Sequence, residues 1–147
     1  MLFVDVEEEF NWRAPLRREG HSTTTVAALP EAHRRFRSFG LTPAYMTDYP
    51  VVDDPVSAAI LRRMVDHEDA LVGAQLHPWV NPPHDEELTE QNSFVGNLPL
   101  ELERAKLGAL TQKIDDVCGA RPVIYRAGRY GIGPNSARLL IEQGYRL

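Results

Sequence analysis

Leu2-Phe3-Val4-Asp5-Val6-Glu7-Glu8-Glu9-Phe10-Asn11-Trp12 decides how the rest of the chain is read. The first residues have the apolar, β-branched character of a strand, and a run of acids follows at once. An unpaired carboxylate inside an apolar core costs several kcal/mol, so Asp5 belongs where a strand ends and a cleft begins. Asp5 and Glu7 alternate along an extended backbone and therefore project to the same face. Two carboxylates side by side repel unless a cation neutralises them or one takes up a proton. The pair suits metal holding, or a division of labour between base and ligand. The same residues also suit a plain strand end dissolving into a solvated acidic loop.

Working outward, the chain alternates. A helix is expected from Ser22 or Thr23 to about Phe39, closed by Gly40, and then a strand over Thr42-Pro43-Ala44-Tyr45-Met46-Thr47. Asp48-Tyr49-Pro50 ends that strand. Asp53 or Asp54 with Pro55 opens a second helix through Ala58, Ile60, Leu61, Met64 and Val65. Ala70 to His77 is a third strand, nearly all apolar until its end. From Pro78 to about Pro99 runs a long proline-rich loop, of a length that is usually functional or disordered. Leu102, Leu107, Leu110, Ile114 and Val117 mark one face of a helix over Leu100 to Cys118. Pro122 to Arg126 is a fourth strand, Pro134 to Gln143 a fourth helix, and Gly144-Tyr145-Arg146-Leu147 starts what reads as another strand.

Strand–helix repetition of this kind predicts a parallel sheet with crossover helices, either doubly wound or closing into a barrel. Periodicity does not separate the two. In both, chemistry gathers at the carboxyl ends of the strands. There the sequence places Asp5, Glu7, Asp48, His77, Trp79, Arg126, Arg129 and Tyr130.

Composition narrows the function classes. The chain has 147 residues, one domain's worth, with 43% hydrophobic and 25% charged residues, ordinary values for a soluble globular protein. Its net charge of -5, with no basic cluster beyond Arg34, Arg35 and Arg37, argues against nucleic acid as a partner. The single cysteine, Cys118, excludes an internal disulfide and a Cys-rich zinc site. No apolar run approaches the about 18 residues of a membrane span, and no basic-then-apolar leader opens the chain, so the cytoplasm is the default compartment. Both ends look cut, as if the chain were a fragment lacking further C-terminal strands.

Three segments carry a resemblance. Val4-Asp5-Val6-Glu7-Glu8-Glu9-Phe10 resembles the first motif of the polysaccharide deacetylases, the chitooligosaccharide deacetylase homology domain of carbohydrate esterase family 4. Gly73-Ala74-Gln75-Leu76-His77-Pro78-Trp79 falls where that family's histidine motif is expected. Tyr125-Arg126-Ala127-Gly128-Arg129-Tyr130-Gly131 resembles its third motif. The resemblance implies a deformed (β/α) barrel and metal-dependent removal of acetyl groups from a polysaccharide or oligosaccharide. It implies Asp5 as general base, Arg126 as its partner, and Glu7 and His77 as ligands of a divalent metal, usually zinc. His84 is the nearby imidazole expected to complete a three-ligand set. Trp79, Arg129 and Tyr130 are the expected sugar contacts. Departures are plain: Glu7 stands where the family usually has Asp, and Gln75 and Trp79 occupy the places of its two histidines. A catalytically silent glycan-binding relative is the alternative those departures favour.

Overall fold

The computed structural model describes residues 2–147. Four strands, β1 (Leu2–Val6), β2 (Pro43–Thr47), β3 (Leu71–Leu76) and β4 (Tyr125–Ala127), form one parallel sheet in the order β1-β2-β3-β4. Strands follow one another across the sheet in chain order. A doubly wound sheet reverses direction at a switch point, and none occurs among the described residues. The sheet curls as half a barrel. The connecting helices are α1 (Leu29–Ser38), α2 (Tyr49–Asp53), α3 (Pro55–Glu68), α4 (Leu100–Cys118) and α5 (Ser136–Glu142).

Register assigns each residue to a face. Leu2, Val4 and Val6 pair with Pro43, Tyr45 and Thr47, and Tyr45 in turn with Val72. Val6, Tyr45, Ala74 and Leu76 join Leu61, Met64, Leu107, Leu110 and Ile114 of α3 and α4 in the main core. The intervening residues form the other face: Phe3 beside Ala44, Asp5 beside Met46, Met46 beside Gly73, Gln75 beside Arg126. Ala44, Met46 and Ile124 make a small apolar cluster low on this face. Gly73 is required there, because a Cβ would lie 2.6 Å from Met46 Cε and 2.8 Å from the Ile124 carbonyl. Asp5, Gln75 and Arg126 stand above the cluster toward the strands' carboxyl ends. One face folds the domain and the other bears the polar groups.

Local departures from the expected elements have local causes. The first helix was expected from Ser22 or Thr23, but a 3₁₀ turn occupies Thr24–Ala28 and α1 starts only at Leu29. Pro30 has no N–H and its ring collides with the carbonyl four residues back, so an α-helix cannot run through it. It sits instead in the first turn of α1. α2 was not expected. It exists because Asp48 leaves β2 with extended backbone and its Oδ1 accepts from the Val51 N–H at 3.2 Å. Asp54 caps α3 in the same way through Val56. β4 is shorter than Pro122–Arg126, although the Ile124 carbonyl still accepts from Ala74 N–H. Gly144-Tyr145-Arg146-Leu147, expected to start a further strand, forms none, although Tyr125 N–H donates to the Leu147 carbonyl and Arg146 N–H to the Val123 carbonyl.

The long loop after β3 is packed rather than loose. Trp79, Val80, Asn81, Ser93 and Val95 are buried in it. Its anchor is Lys106 of α4, fully buried, whose ammonium donates to the carbonyls of Pro78 (2.9 Å), Asn81 (2.6 Å) and Pro83 (2.6 Å). Glu86 Oε2 lies 3.1 Å from the same nitrogen. Asn81 answers by donating to the Lys106 carbonyl. Among the described residues, no helix is long and apolar enough to cross a membrane.

Candidate functional site

His77, just past the end of β3, is the centre of the polar cluster. It is 2% exposed, and both ring nitrogens face acids. Nδ1 lies 3.1 Å from Glu8 Oε2 and 3.5 Å from Asp48 Oδ2, while Nε2 lies 3.2 Å from Glu7 Oε2. One ring flank stacks on Trp79, with centroids 4.5 Å apart and planes at 16°. Gly128 closes in nearby, where a Cβ would collide with the imidazole and the Leu76 carbonyl. This explains the glycine of Ala127-Gly128-Arg129 by close approach.

Glu8 and Asp48 form the buried floor. Asp48 Oδ2 also accepts from the Glu8 backbone N–H at 3.0 Å, so a single carboxylate caps α2, ties β1 to β2 and supports His77. Burial, with a hydrogen bond to Asp48, pushes the Glu8 carboxyl up to about 8, against the pull of His77. Burial works to raise Asp48 too, but hydrogen bonds with Glu8 and His77 outweigh it and hold Asp48 below its usual value. Burial opposes a charge on His77, yet hydrogen bonds to Asp48, Glu7 and Glu8 lift it well above the ordinary histidine value. A protonated Glu8 beside an ionised Asp48 is how two adjacent buried carboxyls coexist.

These shifts give the metal-free protein a defined pH response. Unfolded, Glu8 releases its proton near 4.5; folded, it keeps it to about 8, so between those values the fold binds the extra proton and loses stability as pH rises. His77 adds in the same sense, its contribution being full below about 6.5 and lost as pH climbs through its raised folded value. Asp48 acts oppositely, but its gain is complete above its unfolded value of 3.8. Urea unfolding without metal should therefore show stability falling from about pH 5 to about pH 9. A Glu8→Gln variant should flatten that slope, and an unchanged slope would remove Glu8 as its source.

A second pair stands at the more open side. Arg126 Nη1 lies 3.2 Å from Asp5 Oδ1. The fork is shared rather than bidentate on the carboxylate, since Nη2 donates to the Tyr130 hydroxyl at 3.2 Å. Burial raises the Asp5 carboxyl, Arg126 opposes, and Glu7 adds to the rise, with a net upward shift. Such a shift moves a carboxylate toward the range useful for a general base. Tyr130 is 79% exposed and, like Arg129, has left-handed backbone (φ 56° and 53°), a conformation that costs a non-glycine residue about 1–3 kcal/mol.

The structure thus brings together Asp5, Glu7, His77, Arg126 and Tyr130 of the expected residues. Trp79 is 1% exposed, covered by His77 and by Phe10 at 5.3 Å; it walls the site and offers no face to a sugar. Arg129 turns to Phe94 and Trp12, its guanidinium 4.2 and 5.6 Å from their ring centroids. His84 lies beside Lys106, Arg18 and Glu86; burial first, then the Lys106 and Arg18 cations, lower its proton affinity against the pull of Glu86. The cluster whose ligand atoms converge within 4.8 Å is Glu8, Asp48 and His77, which could hold a metal ion. Glu8 was missed because the chain leaves the sheet after Val6, so alternation no longer says where the second of three glutamates points. Asp48 was visible as a strand-end acid, and its cap position before Tyr49-Pro50 was the signal of its fixed direction.

Fold and site together define an α/β protein with a half-barrel parallel sheet and a carboxylate–imidazole cluster at its carboxyl edge. Set against protein-family models, curated proteins and solved structures, the chain finds no match in any of the three.

Proposed function

We infer that this domain is a metal-dependent hydrolase that removes acetyl groups from a polysaccharide or oligosaccharide, built on a deformed barrel of the deacetylase type. The observation that carries the reading is the placing of the Asp5–Arg126 pair and the Glu7–His77 pair on one face of the sheet. Glu7 and His77 Nε2 would hold the cation. A divalent cation there would supply Lewis-acid polarisation and a more acidic bound water. Asp5 takes the proton from the attacking water, and its raised proton affinity suits that task. Arg126 steers Asp5 and favours its ionised form before the proton is taken. Glu8 and Asp48 act on Nδ1 of His77, fixing the ring so that Nε2 faces Glu7, just past β1.

The fit to a metal rests on the donor set. Carboxylate and imidazole are both divalent-metal ligands, and a ligating histidine characteristically has its other nitrogen on a carboxyl group. His77 has that arrangement.

Acetate release from acetylated chitooligosaccharides by the full-length protein tests the reading. Activity should disappear with a chelator and return with added divalent metal. Arg126→Lys keeps the charge but loses the fork shared by Asp5 and Tyr130, and should lower turnover about tenfold or more. Turnover equal to wild type would end the role given to Arg126. A second reading, glycan binding without hydrolysis, is favoured by Trp12 and Tyr130, which are 61% and 79% exposed. Oligosaccharide binding with no acetate release under any metal would select it.

A further inference from the structure

We propose that the amide oxygen of Gln75 is a ligand of the cation, completing a tripod with Glu7 Oε2 and His77 Nε2. The proposal rests on the metal-dependent reading and says how the site is completed where a second histidine is missing.

Three separations define the tripod. The amide terminus of Gln75 lies 2.9 Å from Glu7 Oε2 and 3.4 Å from His77 Nε2, and those two atoms lie 3.2 Å apart. Ligand atoms about 2.0–2.2 Å from one metal centre stand about 2.8–3.6 Å from each other in octahedral or tetrahedral geometry. The triangle has that size on every edge.

The amide group itself supplies the second argument. Its NH₂ end donates to Glu7 Oε2 and lies beside His77 Nε2, so it occupies the corner between the two with positive hydrogens. Its other end, Oε1, is buried and accepts no hydrogen bond. The residue is only 5% exposed, so solvent does not satisfy that oxygen. A buried acceptor left without a partner costs about 1–3 kcal/mol. A half-turn of the amide exchanges its two ends, which have nearly the same shape. The turn brings Oε1 to the third corner of the triangle. With a cation at the centre, the orphaned oxygen gains a partner and the hydrogens leave the cationic locus.

The alternative locus is the Nδ1 side, between Glu8 and Asp48. All three residues there are buried, and Asp48 Oδ2 and Oδ1 already accept from backbone N–H groups. On the Nε2 side, Glu7 keeps a third of its side chain exposed, leaving an approach for water or substrate. Two oxygens and one nitrogen form a harder ligand set than one carboxylate with two imidazoles, and suit a cation such as Mn²⁺.

Direct binding decides the matter without reference to turnover. The full-length protein is titrated with Co²⁺, followed by visible absorption, and with Mn²⁺, followed by electron spin resonance. Gln75→Leu should weaken both by about tenfold or more, the scale seen when a metal site loses a supporting group. Gln75→Glu, which keeps an oxygen at the corner and adds charge, should bind at least as tightly as wild type. Equal affinity in wild type and Gln75→Leu overturns the proposal. So does a loss of binding in Glu8→Gln and Asp48→Asn that Gln75→Leu does not share, which would move the cation to the Nδ1 side. Should Gln75→Leu fail to fold, Gln75→Glu decides alone, and weaker binding in it overturns the tripod. Gln75-dependent binding without acetate release leaves the tripod standing and removes the deacetylase reading only.

Discussion

Lys106→Met should lower the unfolding free energy by about 3–5 kcal/mol, read from urea denaturation of the full-length protein. The methionine fills the space of the stem but carries no donor. Glu86, whose side chain is 5% exposed, would lose the ammonium 3.1 Å away and keep only Arg18 at 3.7 Å. Three carbonyls, those of Pro78, Asn81 and Pro83, would lose their buried donor at the same time. Removing one partner from a buried charge pair is costly because the other charge stays behind, unlike replacing both with apolar groups. A change under about 1 kcal/mol would show that the cage is replaceable by water. The loop held by Lys106 begins at the residue after His77, so the variant should also lose metal affinity.

Asp5→Asn should leave the fold nearly intact and reduce acetate release by about 10²–10⁴-fold, the range a positioned general base contributes. Asn keeps the shape and a contact to Arg126 but cannot take a proton. The pair is partly open to solvent, with 36% of the Asp5 side chain and 32% of the Arg126 side chain exposed, so its loss should cost at most about 1 kcal/mol of stability. Cation binding through Glu7 and His77 should persist. Residual turnover within a factor of about three of wild type would take the base role from Asp5.

Much of the fold was legible because its signals are local. Strand character at Val4, Tyr45 and Val72, the apolar stripe of α4 and the proline and aspartate starts of α3 are each written over a few residues. Order alone then implied a parallel sheet. The choice between a doubly wound sheet and a curled one was not local. It depends on which strands become neighbours, and that appears only in the pairing of β1 with β2, β2 with β3 and β3 with β4.

The site was legible to the same depth. Asp5 and Arg126 lie within strands, where alternation fixes their common face. Glu7 and His77 follow one residue past strand ends, close enough for strand direction to place them. Trp79 and His84 lie past β3, where a loop pinned by a buried lysine decides direction. Trp79 turned inward against His77, and His84 went to the side of Arg18 and Lys106. Lys106 itself falls on the buried stripe between Glu103 and Leu110 of α4. Its position on that stripe follows from helical spacing, but the carbonyls that justify burying a charge belong to a segment without periodicity.

The division of the sheet into a helix-packed face and a polar face has an evolutionary consequence. Positions 5, 7, 75 and 126 lie outside the apolar core that holds the helices on. The polar groups on that face can change by exchange at one such position while the apolar core persists. The heritable unit of folding and the heritable unit of chemistry are thereby uncoupled along the same four strands.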